Sequence, residues 1–277
     1  MSRDQAQAQL ALEAAEALEK HDLASSLSAY DHAVRVAAQV GDRLLEAEAE
    51  LGWGGALVAI EGRELESGPH LQRATELGAG TSIEARAWFL AADGLRRVSR
   101  IADAAMSLRR SARLFVERGD ASGELVARGA LATLLLDDDQ AEQALPELAR
   151  ATALAVEEQP ELAPQLLLQY GEVLLRRLDR PAEAVPALRI AAEMFQRLGD
   201  RQREGRARVG LIAAQAMASP RGRREVPYDQ LIQMSELAAE RAADEGDANA
   251  EAVAHWGLAR LLAEQAALRE REEGGDG

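Results

Sequence analysis

The 277-residue sequence has no cysteine, one lysine (Lys20) and one asparagine (Asn249), and aromatic residues make up only 3% of it. Without cysteine there is no disulfide, no thiolate-ligated zinc and no thiol nucleophile, which fits a cytosolic home. Long hydrophobic runs are missing too. The first twenty residues lack the continuous apolar core of a signal peptide, and stretches such as Leu134–Leu136 are far too short to span a bilayer. The chain is therefore expected to be soluble and cytoplasmic. Catalytic signatures are equally scarce. The four histidines, His21, His32, His70 and His255, fall in separate turns or helices, with no HExxH motif and no phosphate-binding glycine loop. Each histidine reads as a surface or packing residue, and neither an enzymatic activity nor a cofactor is expected. The run Asp137–Asp139 lacks the spacing of a calcium loop and reads as a solvated turn with a helix cap.

What is present is alanine, leucine and charge. Hydrophobic residues total 47% with few aromatics, so the apolar content is mostly good helix formers of small and medium size. An all-α fold follows. Acidic residues outnumber basic ones 47 to 32, a formal charge of -15 that repels nucleic-acid phosphates and anionic lipid. Nearly all the positive charge is arginine. The bland cause of that is a GC-rich genome, and the planar guanidinium's bidentate pairing explains less.

The apolar residues recur at three- and four-residue steps in paired segments. Residues 161–200 read as two amphipathic helices joined at Leu178–Pro181, a hairpin that cannot bury both faces alone. Similar hairpins recur about every forty residues, the mark of a helical solenoid. The second helix of each repeat sets the register, with two small residues seven apart bracketing a larger one. These triplets are Ser26, Tyr30, Ala33; Ser67, Leu71, Ala74; Ala104, Leu108, Ser111; Ala144, Leu148, Ala151; Ala184, Leu188, Ala191; and, poorly, Leu231, Ser235, Ala238. Steps of four and three place each on one face, where small residues allow close helix approach. Pro69, Pro146 and Pro186 recur two residues after the first small position and predict a tolerated bend. Gly-Asp pairs beginning at Gly41, Gly119, Gly199 and Gly246 predict joints, glycine ending one helix and aspartate capping the next. First helices are expected over about Arg3–Lys20, Arg43–Ile60, Ser82–Val98, Ser122–Leu136, Ala163–Arg177 and Gln202–Ala218, with an unpaired seventh over Ala248–Arg269.

From about residue 7 to 269 this pattern resembles the tetratricopeptide repeat (TPR), and its forty-residue spacing resembles the longer variant of bacterial signalling proteins. Trp88 stands at the family's aromatic position and Gly55, Ala92 and Ala132 at its small one. Glu172 departs from it, with Gly171 one place early, and the sixth repeat matches weakly. The resemblance implies a TPR-like α-solenoid of about six antiparallel helix pairs plus a C-terminal capping helix. It would form a single superhelical domain over 1–270, followed by a disordered acidic tail over 271–277.

In that family the first helices line the concave side, where ligands usually dock. The family's groove positions fall on Ala49, Gly52, Ala56 and Ala59, on Arg86, Phe89, Asp93 and Arg96, on Val126, Gly129, Thr133 and Leu136, and on Leu166, Gln169, Val173 and Arg176. The candidate partner-binding residues are Arg86, Phe89, Asp93, Arg96, Thr133, Gln169, Val173 and Arg176. An apolar trough flanked by arginines suits a protein or peptide partner, such as an amphipathic segment carrying carboxylates. Equally, the arginines offset local Glu and Asp on a solvated face. Arg221, Arg223 and Arg224 form a candidate docking loop or a solvated connection within residues 218–227. The function expected is a non-catalytic protein-interaction scaffold or, alternatively, a peptide-sensing bacterial regulator that changes conformation on binding. The lysine-and-asparagine clamp of chaperone-tail binders has no counterpart in the groove.

Overall fold

The computed structural model describes residues 3–218, 228–244, 246 and 248–274, and every regular element among them is helical. By backbone proximity the chain falls into two compact units, Met1–Gln140 and Ala141–Gly277. The first holds α1 (Arg3–Glu19), α2 (Leu23–Val40), α3 (Arg43–Ala59), α4 (Ser67–Leu77), α5 (Ser82–Arg97), α6 (Ile101–Arg118) and α7 (Ala121–Asp137), with a 3-10 turn at Glu64–Glu66 before α4. The second holds α8 (Ala141–Glu158), α9 (Ala163–Glu172), a π-helical stretch Val173–Arg177, α10 (Pro181–Leu198), α11 (Arg201–Ala218), α12 (Tyr228–Asp244) and α13 (Ala248–Gly274). The first helices begin within a residue of their expected starts. The last runs five residues past Arg269, to Gly274.

The joints form as their chemistry dictates. Gly41, Gly119 and Gly199 end α2, α6 and α10 in the left-handed conformation, with φ of +74°, +68° and +72°. Asp42, Asp120 and Asp200 then accept from the backbone N–H three residues on, at 3.1, 2.8 and 3.0 Å. One orphan donor at each new helix start is thereby satisfied. In the first unit Arg43 adds a second tie, its guanidinium donating to the Leu77 and Glu76 carbonyls at the end of α4 at 2.9 and 2.7 Å.

The small-large-small triplets form the cores. All fifteen residues of the first five triplets are buried. Tyr30 packs with Ala49 and Ala56 of α3, so these two positions of the expected groove lie in the core instead. Ser111 Oγ donates to the Ala85 carbonyl of α5 at 2.8 Å, a satisfied buried hydroxyl that ties the α5/α6 pair. The sixth triplet is buried at two of its three positions. On α12 the buried residues are Leu231, Ser235, Ala239 and Ala242, while Ala238 stays partly exposed. This helix packs more closely on α13 than on α11, which leaves its Ala238 edge incompletely covered.

One periodic device was invisible in the sequence. Ser99, Asp139 and Asp179, forty residues apart, adopt φ of +59°, +57° and +51° at the turn within a hairpin. The following N–H closes each turn: Arg100 on Leu95 O and Gln140 on Leu135 O, but Arg180 on Leu174 O, one residue farther back. The π-helical stretch Val173–Arg177 absorbs that extra residue. It also explains why Gly171 stands one place early. Gly171 is the small position of its repeat, where a Cβ would come within 2.5 Å of Leu188 Cγ, and Glu172 is turned elsewhere. In the second repeat Gly54 rather than Gly55 meets the large residue, its would-be Cβ 2.5 Å from Leu71 Cδ2.

Candidate functional site

Phe89, Asp93 and Arg96 follow one another on α5 at steps of four and three, and Thr133 and Asp137 on α7 at a step of four, so each set shares a helix face. Whereas α1, α3 and α5 follow one another closely, α5 and α7 stand apart. The gap is a cavity of about 380 Å³. Leu108 of α6 and Leu90 and Leu134 contribute its apolar surface, with Asp93, Arg96, Thr133 and Asp137 as its polar groups. Four of the eight candidate residues therefore meet in one place within the first unit.

The charges there are largely engaged. Arg96 donates to Asp93 Oδ1 at 2.6 Å and Arg97 to Oδ2 at 3.0 Å. Burial pushes the Asp93 carboxyl up, but the two guanidinium hydrogen bonds outweigh it and hold the group below the ordinary aspartate value of 3.8. Arg86, outside the cavity lining, donates to both Glu48 oxygens at 3.1 Å. Local charge compensation thus accounts for Arg86 and for much of Arg96. A folded-state pKa below the unfolded one adds stability that is fully present above pH 3.8 and lost as pH falls through the depressed value. Wild type is accordingly expected to exceed Asp93→Asn by about 0.5 kcal/mol at pH 7, the size of a half-exposed pair. Urea denaturation at a series of pH values should show that gap constant above pH 3.8 and narrowing as the pH falls below it.

The other candidates lie elsewhere. In the second unit Gln169 of α9 is partly exposed and Arg176 of the π-helical stretch is exposed, but Val173 is only 5% exposed. Val173 therefore packs in the core and offers no groove surface. Arg221, Arg223 and Arg224 lie outside the described residues. Asp137, read from the sequence only as part of a turn, proves to line the cavity.

Sequence reasoning also missed a second polar cluster. His70 of α4 stacks on Trp53 of α3, ring centroids 4.0 Å apart, and its Nδ1 lies 2.7 Å from Oε2 of the buried Glu50. Twenty residues separate His70 from Glu50, so no local motif announces the pair. Among the described residues no group of three or more His, Cys, Asp or Glu is placed to hold a metal ion, and no helix is long and apolar enough to cross a membrane.

No family model matches the sequence, and no curated protein is detectably similar to it. Solved structures do resemble the fold. RapI in its apo form has a TM-score of 0.60 at 12% identity, covering 95% of this chain and 99% of that one. The TPR-like repeats of a putative kinesin light chain from Podosopora anserina score 0.57 at 11% identity, over 72% of this chain and 99% of that one. A Rap protein complexed with Competence and Sporulation Factor scores 0.51 at 14% identity, over 94% and 75%. The chain has the fold of these TPR-like proteins, an α-solenoid of antiparallel helix pairs.

Proposed function

We propose that the chain is a non-catalytic protein-interaction scaffold that takes a peptide or helical segment into the α5–α7 cavity. The observation that carries this reading is the convergence of Phe89, Asp93, Arg96 and Thr133 on one cavity with an apolar floor. Such a site suits an amphipathic segment, whose apolar side chain would settle against Phe89, Leu108 and Leu134. A carboxylate on the same segment would meet the half-exposed Arg96 guanidinium on the edge not turned to Asp93. With a charge of -15 the chain is a poor binder of nucleic acid or anionic membrane. The same proposal treats residues 1–270 as one repeat domain acting in a bacterial cytoplasm.

Panning a random dodecapeptide library on the protein, then measuring the selected peptides by fluorescence anisotropy, tests the site. Thr133→Trp fills the cavity from an exposed position of α7 and should weaken those peptides at least tenfold. Unchanged affinity in that variant, or no peptide selected at all, would remove the reading.

A second reading, a ligand-sensing regulator, is favoured by the likeness to RapI along nearly the whole of both chains. The Rap protein with Competence and Sporulation Factor bound is also similar to this chain. Small-angle scattering separates the two readings. A sensor changes its radius of gyration when a selected peptide binds, whereas a scaffold keeps it.

A further inference from the structure

A second cavity lies in the other unit and shares no residue with the first. Because α12 packs mainly on α13, it leaves a space of about 200 Å³ beside α11. Val209 and Ile212 of α11 and Met234, Leu237 and Ala238 of α12 form its walls. We infer that this α11–α12 cavity is a binding site for a small uncharged apolar molecule about the size of one or two fused rings.

Three observations set that chemistry. The first is charge. The two arginines at the cavity are both held by carboxylates, Arg206 by both Glu172 oxygens at 2.6 Å and Arg208 by Glu204 at 2.7 Å. An anionic ligand would have to compete with those pairs, and among the described residues no carboxylate lines the cavity to receive a cation. The second is size. An apolar cavity of about 150 Å³ stays dry and takes up benzene, so one of 200 Å³ has room for a ring with a few added atoms, but not for a peptide segment. The third is access. Met234 and Leu237 are large apolar side chains left 40% and 64% exposed at the cavity, and methionine's unbranched thioether reshapes easily around a guest. An apolar guest restores the dispersion contacts that the lining side chains lack across the gap.

Indole is the probe. Added at about ten times its dissociation constant, it should raise the thermal midpoint of the full-length protein by about 3 °C. Isothermal titration should show one site, and benzyltrimethylammonium, a cation of similar size, should give neither signal. Ala238→Phe places a ring in the cavity and should abolish the indole response while far-UV circular dichroism stays helical. If that variant does not fold, Met234→Trp covers the entrance from an exposed position and should do the same. Thr133→Trp, which blocks the other cavity, should leave the response intact, so loss of peptide binding and loss of indole binding are separable. No indole response in wild type, an equal response in both cavity-filling variants, or its loss in Thr133→Trp would overturn the inference.

Discussion

Truncating Leu188 to alanine is expected to lower the unfolding free energy by about 3–4 kcal/mol, read by urea denaturation. Leu188 is the large residue of the fifth triplet and is fully buried in α10. It fits against Gly171 of α9 on one side, where no Cβ has room, and Gly210 of α11 on the other, where a Cβ would stand 3.3 Å from Cδ2. The glycines have no side chain with which to fill the space that truncation opens, and moving helix backbones into it would disturb Ala184, Ala187 and Ala191, all buried on the same helix. The full cavity term therefore adds to the lost transfer free energy. Ile190, 46% exposed on the same helix, is the control, and Ile190→Ala should cost well under 1 kcal/mol. A cost below about 1.5 kcal/mol at Leu188 would show that the α9–α10–α11 packing closes over the gap, and would undercut the triplet as the source of the core.

The triplet was legible because its information is local. Ala184, Leu188 and Ala191 lie within eight residues, and helical periodicity alone puts them on one face. Gly199 and Asp200 were legible for the same reason, since a left-handed C-cap and an N-cap each need one particular side-chain chemistry at one position. The π-helical stretch was not. Nothing in the composition of Val173–Arg177 separates it from an ordinary helical turn, and its only trace was Gly171 standing one place early. The partial exposure of Ala238 escaped as well, because it depends on α12 packing toward α13 rather than α11, a long-range choice. At the candidate site the face shared by Phe89, Asp93 and Arg96 could be read, and so could local compensation of the arginines, but not which carboxylate engages Arg86. Its partner, Glu48, sits 38 residues away, and any of the many carboxylates of so acidic a chain could have filled that place. The cavity beside Phe89 is likewise a property of the spacing between α5 and α7, which no single helix encodes.

Glu172, displaced from the small position, is where the second large effect is expected. Its carboxylate accepts from Arg206 through Nε and Nη2, both at 2.6 Å, with side chains only 14% and 26% exposed. Arg206→Ala should cost about 2 kcal/mol, between the values for exposed and fully buried pairs, chiefly because it strands a poorly hydrated carboxylate. Arg206→Met combined with Glu172→Leu removes both charges while keeping bulk, and should recover most of that loss. Salt supplies an independent reading. Raising sodium chloride from 0.1 to 0.5 M should leave the Arg206→Ala penalty nearly unchanged, because solvent ions screen a mostly covered pair poorly. The Arg208–Glu204 pair, two residues along α11 and with its guanidinium 54% exposed, should lose more of its contribution under the same change. If the Arg206 penalty is instead under 0.5 kcal/mol, or fades with salt as the Arg208 penalty does, the pair behaves as a surface contact. The π-helical turn would then place Gly171 against Leu188 without gaining a charged tie between α9 and α11.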